Sequence, residues 1–309
     1  MTAFRSGVLL AIPALVLAGC DIEDFDHGSR VKEDFHHVHD LKSGGRVELE
    51  SFNGSIEIRG WDKESIDISG TKYAPSEELL REVKIDIAAS PDSIRIRTIR
   101  PEGRRGNMGA SFVISVPRKV VLDRIASSNG GIRVQDVEGN ARLRSSNGSV
   151  KVFDYKGDLT ADTSNGGIEL SKFTGGAALH TSNGGIRADG VRGYFEARTS
   201  NGGIDAHVAE VSSRPVRAET SNGRINLTID SLKDSDVHAS TSNSSVTVKL
   251  PSGINARLKA VTSNASITSD FDVSGAGTRS KHRWEGNIGS GGPLLDLHSS
   301  NGSIRIQRF

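Results

Sequence analysis

The stretch "TSNGGIRADGVRGYFEARTSNGGID", Thr181 to Asp205, contains T-S-N-G twice, with its asparagines 18 residues apart. The motif recurs in both directions. Asn129, Asn147, Asn165, Asn183 and Asn201 are spaced by 18, Asn222, Asn243 and Asn264 by 21, and Asn301 adds one more. A fixed period of this size marks a stacked fold, in which each repeat buries its apolar face only against its neighbours.

Counting backwards in twos from each asparagine gives Ala141, Leu143 and Ser145, then Leu159, Ala161 and Thr163, and later Phe195, Ala197 and Thr199. The positions between are Arg142 and Arg144, Thr160 and Asp162, Glu196 and Arg198, so each segment is a strand with one face inside. A second strand follows each Asn-Gly, as in Ile132 and Val134 or Ile168 and Leu170. After it come Val137, Tyr155, Phe173 and Val191 in register, and Gly139, Gly157, Gly175 and Gly193 mark the opposite corner.

Two topologies fit two strands and two turns per repeat. Asn-Gly favours two-residue hairpins, but a meander would need one open sheet of about eighteen strands, beyond the roughly ten that twist and exposed edges permit. Stacking places the same position of every repeat over its neighbour, so identical residues form ladders. The prediction is an all-β protein, a single-stranded β-solenoid of parallel turns of about 18 to 21 residues. One corner carries an asparagine ladder of Asn53, Asn129, Asn147, Asn165, Asn183, Asn201, Asn222, Asn243, Asn264 and Asn301. Strand parity predicts that these amides point inward beside Leu and Thr, while Ser146, Ser164, Ser182, Ser200 and Ser221 point out. The ladder is expected to continue at Asn243-Ser244 and Asn264-Ala265, with a different bend.

The pattern also fits "RVELESFNGSIEI", residues 46–58, through Val47, Leu49, Ser51 and Asn53. The solenoid domain is therefore drawn over 45–309, with irregular opening turns at 45–120, regular repeats at 121–264, and C-terminal turns and a cap at 265–309. Within the opening section "SEELLREV" reads as a short helix capped by Ser76. Trp284 is expected to cover apolar surface at the far end. Residues 21–44, highly charged and without the pattern, read as a tether.

The start "MTAFRSGVLLAIPALVLAGC" joins one cation, Arg5, to an apolar run too short to span a bilayer, which is an export signal occupying residues 1–20. It ends in Leu17-Ala18-Gly19-Cys20, which resembles the bacterial lipobox and implies cleavage before Cys20 and lipid attachment there. Asp21 resembles an inner-membrane retention signal of enteric lipoproteins. Cys20 is the only cysteine, so no disulfide contributes to the mature fold. Lys and Arg number 39 against 38 Asp and Glu, and loss of Arg5 with the leader brings the mature chain to balance. That argues against nucleic acid as a partner.

Lipobox, "VELESFNGSIEIRGWDKESIDISGTKYA", the helix candidate, "VISVPRKVVLDRIASSNGGI" and the serial "SNGGI" turns together resemble a bacterial β-strand-repeat family of cell-envelope proteins. That family, a domain of unknown function, carries the provisional label of adhesins. The resemblance covers the chain from about residue 35. It implies a right-handed β-solenoid-like fold in the envelope and no known enzymatic activity.

No catalytic, cofactor-binding or metal residue is assigned. "DFHHVHD" places His36, His37 and His39 near Asp34 and Asp40, but only His37 and His39 share a strand face, and the family resemblance implies that the segment is the first edge strand rather than a zinc or copper site. "GNIGSGG", 286–292, lacks the Lys-Ser/Thr ending of a phosphate loop. Two outward columns, Arg144, Asp162, His180, Arg198 and Glu219, and Arg133, Lys151, Glu169, Arg187 and Asp205, alternate in sign as charge ladders do. A polysaccharide-cleaving solenoid would draw its acid/base pair from Asp162 with Glu169 or Asp205. Phe309 reads as the end of the last strand. The expected function is that of a non-enzymatic envelope lipoprotein, an adhesin or scaffold held to the membrane through lipid on Cys20 and binding an unidentified protein or glycan. The alternatives are an envelope-stress or regulatory accessory protein with a membrane partner, and a carbohydrate-active solenoid enzyme.

Overall fold

A computed structural model describes residues 30–104, 106–211, 214–232, 234–275 and 277–309. Each repeat forms two strands. The segments before the asparagines, including Ala141–Ser145, Leu159–Thr163, Ala177–Thr181 and Phe195–Arg198, pair in parallel, with Leu143 beside Ala161 and Ala161 beside Leu179. The segments after the glycines, including Ile132–Gln135, Val150–Lys156, Ile168–Thr174, Ile186–Gly193 and Ile204–Val211, build a second parallel ladder. The described residues thus form one sheet of 14 strands and one of 13, joined at two corners.

Alternation puts Leu143, Ala161, Leu179 and Ala197 of the first sheet against Val152, Leu170 and Ala188 of the second, all buried. Small residues recur because each position must fit directly over its equivalent. The width left at the Gly157 corner is filled by Tyr155, Phe173, Val191 and Phe195. The rings of Tyr155 and Phe173 lie stacked with centroids 5.7 Å apart, and the Tyr155 hydroxyl donates to the Gly139 carbonyl at 2.8 Å. Burying such rings contributes strongly to a core otherwise poor in aromatics.

The ends depart from the order of the chain. Strand Arg46–Ser51 lies between Ser93–Ile99 and Val121–Ser127, and its partner Ile56–Trp61 lies between Gly109–Pro117 and Ile132–Gln135. The first patterned turn is therefore an inner layer, while residues 62–120 loop outward to form the end. The other end repeats the device. Leu294–Ser299 sits between Val237–Thr241 and Ala256–Thr262, and Ile304–Arg308 between Val246–Leu250 and Ile267–Ser269. The C-terminal residues, expected as a terminal cap, are instead inserted one turn inside. The cover comes from Arg283–Ile288, antiparallel to Ala256–Thr262, with the short strand Val273–Ser274 at the edge beyond it. Buried Trp284 packs there, its indole N–H donating to Ser280 O at 2.9 Å.

A second correction concerns the tether. Residues 31–40 are a strand, antiparallel to Ser65–Ala74 over ten residue pairs, and they form one edge of the 13-stranded sheet. Phe35 explains the docking: its ring meets Phe112 edge-on at 5.5 Å and covers Gly70, where a side chain would collide with it. Helix Glu77–Glu82 begins at Ser76, whose hydroxyl accepts the Leu79 N–H at 3.3 Å, as its sequence predicts.

Candidate functional site

The asparagine ladder forms, on the outside. Asn147 Nδ2 donates to Asn129 Oδ1 at 2.6 Å, Asn165 to Asn147, Asn183 to Asn165 and Asn201 to Asn183 at 2.7 Å each. Asn129 donates to Asn53, Asn222 to Asn201 and Asn243 to Asn222. Asn301 then donates to Asn243, and Asn264 to Asn301, so the ladder follows the inserted turn rather than the chain. From Asn129 onward these side chains are exposed, not interior. The strand ends at the threonine, so its parity no longer applies two residues later.

The interior of the corner is held by hydroxyls that the sequence reading had given no role. Thr181 Oγ1 donates to Gly166 O at 2.9 Å and accepts from Gly184 N at 3.2 Å. Ser145, Thr163, Thr199 and Thr220 repeat the pair of bonds. Among the described residues only the first bond remains where Ser244 and Ala265 replace glycine.

The two glycines of S-N-G-G differ. A Cβ on the first would meet the carbonyl of the turn below at 2.0 Å at Gly166 and 1.9 Å at Gly184 and Gly202. On the second the nearest atom would be the next turn's carbonyl oxygen, at 3.1 Å for Gly167, 3.4 Å for Gly185 and 3.3 Å for Gly203. Other turns carry Ser55, Ser149, Ser245, Ser266 and Ser303 there, so packing does not demand glycine. The three bare positions open a groove of about 460 Å³ on the outer face of the 13-stranded sheet, walled by Lys151, Glu169, Arg187, Asp205 and Arg224. From Ser149 to Arg224 it crosses five turns, roughly 19 Å at the usual strand spacing.

Both predicted charge columns form, with Arg144, Asp162, His180 and Arg198 in register on one sheet and Arg133, Lys151, Glu169, Arg187 and Asp205 on the other. Lys151 Nζ lies 3.2 Å from Glu169 and Arg224 3.9 Å from Asp205. Asn226 also donates to Asp205, at 2.5 Å. Arg187 has no hydrogen bond or ion pair within the described residues, although Glu169 and Asp205 flank it in register. Asp162 belongs to the opposite sheet, with the whole core between it and Glu169 or Asp205, so neither acid/base pair considered from sequence exists.

Histidines join turns on both sheets, among them His238, whose Nδ1 lies 3.2 Å from Asp296 and Nε2 3.8 Å from Glu219. On the 14-stranded sheet His180 Nδ1 lies 3.4 Å from Asp162, and that hydrogen bond raises its pKa despite partial burial. Beside the groove, His207 bridges Asp189 at 3.2 Å and Asp230 at 3.0 Å. Partial burial opposes its charge, but the hydrogen bonds to Asp230 and Asp189 outweigh it, and its pKa is also raised. His36 reaches Asp67 at 3.0 Å while His37 and His39 lie nearly parallel with ring centres 6.4 Å apart. No cluster of three His, Cys, Asp or Glu placed to hold a metal occurs among the described residues. Cys20 and the leader lie outside the described residues, and no described helix is long and apolar enough to cross a membrane.

Fold and corner together define a parallel two-sheet solenoid with hydrogen-bonded Asn and Thr ladders. The chain belongs to the Toastrack DUF4097 family, whose model matches residues 46–307. No curated protein matches it. Similar solved structures include a provisionally named adhesin of Bacteroides fragilis, at 15% identity over 90% of this chain and 97% of that one, TM-score 0.42. A second, of Parabacteroides distasonis, shares 10% identity over 91% and 98%, TM-score 0.41.

Proposed function

We propose that the protein is a non-enzymatic binding module of the cell envelope, held to a membrane by lipid on Cys20 and presenting one face of the solenoid to a ligand. The observation that carries this reading is the charge-walled groove beside the asparagine corner. Its opening depends on glycines where the fold accepts serine, and such glycines cost the folded state backbone entropy. The name adhesin comes to this chain as part of the same reading. The separation of Asp162 from the other two carboxylates argues against the glycosidase alternative.

Capture from solubilised envelopes and a glycan array, using the full-length chain, test the reading. Retention of a glycan or matrix component is expected, with loss on filling the groove by Gly185→Ser. Retention of a single membrane protein, unaffected by that substitution, would favour an accessory role. Fractionation of a Cys20→Ser variant is expected to move the protein from the membrane pellet to soluble or unprocessed forms.

A further inference from the structure

We infer that the groove takes a segment of carboxylate-bearing polysaccharide, with Arg187 as the residue that pairs with its acid group. The inference rests on the binding-module reading and adds the chemistry of the ligand. Of the five charged side chains along the groove, Lys151 and Glu169 neutralise one another, as do Arg224 and Asp205. That leaves Arg187, in the middle, with its fork of donors uncommitted. A guanidinium in this state matches a carboxylate, which it can hold by two parallel hydrogen bonds.

The floor decides between polymer types. Its carbonyls are already taken: Val150 N–H donates to Gly167 O, Ile168 to Gly185 and Ile186 to Gly203, at 2.9 to 3.0 Å. An extended peptide would find no free strand edge to add to, so main-chain pairing contributes nothing to its binding. The groove also runs across the strands. Sugar hydroxyls both donate and accept, so they can bond Glu169 and Asp205 as readily as Lys151 and Arg224 without breaking either pair's charge balance. The absence of side chains on Gly167, Gly185 and Gly203 lets a ring lie against the backbone.

The test compares binding of polygalacturonate and alginate with that of methyl-esterified polygalacturonate and poly-glutamate, by the full-length chain in mild detergent at fixed low salt. Expected are binding of a uronate polymer, at least tenfold weaker binding of the ester and of poly-glutamate, and at least tenfold loss in Arg187→Gln. Arg187 is exposed and has no hydrogen bond or ion pair within the described residues, so unchanged thermal melting of the variant confirms an intact fold. Equal binding of the ester, or an Arg187→Gln protein that binds like wild type, overturns the carboxylate assignment. Loss in Gly185→Ser under that outcome would still uphold the groove as a site. Poly-glutamate bound as tightly as the uronates overturns the saccharide class. Failure of wild type to bind either uronate overturns the inference, while the envelope capture decides separately whether the module binds anything.

Discussion

A threonine hydroxyl at the corner does more structural work than the conspicuous asparagine two residues later. Thr181 is buried and closes two backbone groups of adjacent turns, whereas the Asn183 side chain is exposed and hydrogen bonds to its equivalents Asn165 and Asn201. Thr181→Val leaves a part-buried N–H and a carbonyl short of a partner, which costs about 1 to 3 kcal/mol. Asn183→Ala gives up two solvent-accessible bonds and should cost about 1 to 2 kcal/mol. Denaturant unfolding of both variants is expected to rank Thr181→Val as the more destabilised, and the reverse order would refute the assignment of roles. The asparagine column and its register were legible in the sequence because their period is. Its direction was not, since inside and outside alternate only while the chain stays extended, and the strand stops at Thr181.

At the scale of the turn, two adjacent glycines make opposite predictions. Gly184→Ala drives a methyl group into the Gly166 carbonyl of the turn below, and should cost about 3 kcal/mol. Gly185→Ser should change stability by about 1 kcal/mol or less, because Ser149 and Ser245 stand at the same position. Chemical denaturation of the two variants separates them, and equal losses would remove the argument for a groove. Sequence separates the two glycines only through the serines that stand at the second position of other turns; the distance to the neighbouring turn supplies the physical reason. Titration of His180 and His207 adds a pH dependence. Both pKa values are raised above the ordinary 6.5, by Asp162 in one case and by Asp230 and Asp189 in the other. Glu196 adds to the rise at His180 and Arg198 opposes it. The stability they contribute is complete below that value and is lost as pH rises through the raised folded values. The melting temperature is expected to fall as pH rises above the ordinary histidine value of 6.5, and a His180→Gln, His207→Gln double variant to flatten that change.

Over the whole molecule, the order of layers was the part least legible in sequence. Stacked turns carry near-identical residues at each position, so Asn301 satisfies Asn243 as well as Asn264 would, and local pattern cannot say which turn lies next. The longer excursions, 62–120 and 251–293, fix the answer by reaching past an inner turn to cover it. Terminal segments ordinarily exchange first. Here the amides of residues 304–306, paired on both sides, are expected to exchange as slowly as those of Val246–Leu250, and faster exchange by an order of magnitude would contradict the inserted arrangement.

Because the first patterned turn and the C-terminal turn are each locked one layer in, and the covers are built from Val31–Asp40 and the long excursions beside those turns, the middle of the stack is free to vary in copy number. Turns from Asn147 to Asn201 meet their neighbours through the same threonine, asparagine and glycine contacts. Duplicating one 18-residue unit leaves both ends untouched and lengthens the body by about 4.8 Å. The groove would lengthen by the same step. A gene of this design can change the reach of its product, and the length of polymer it spans, by whole units through a single in-frame recombination.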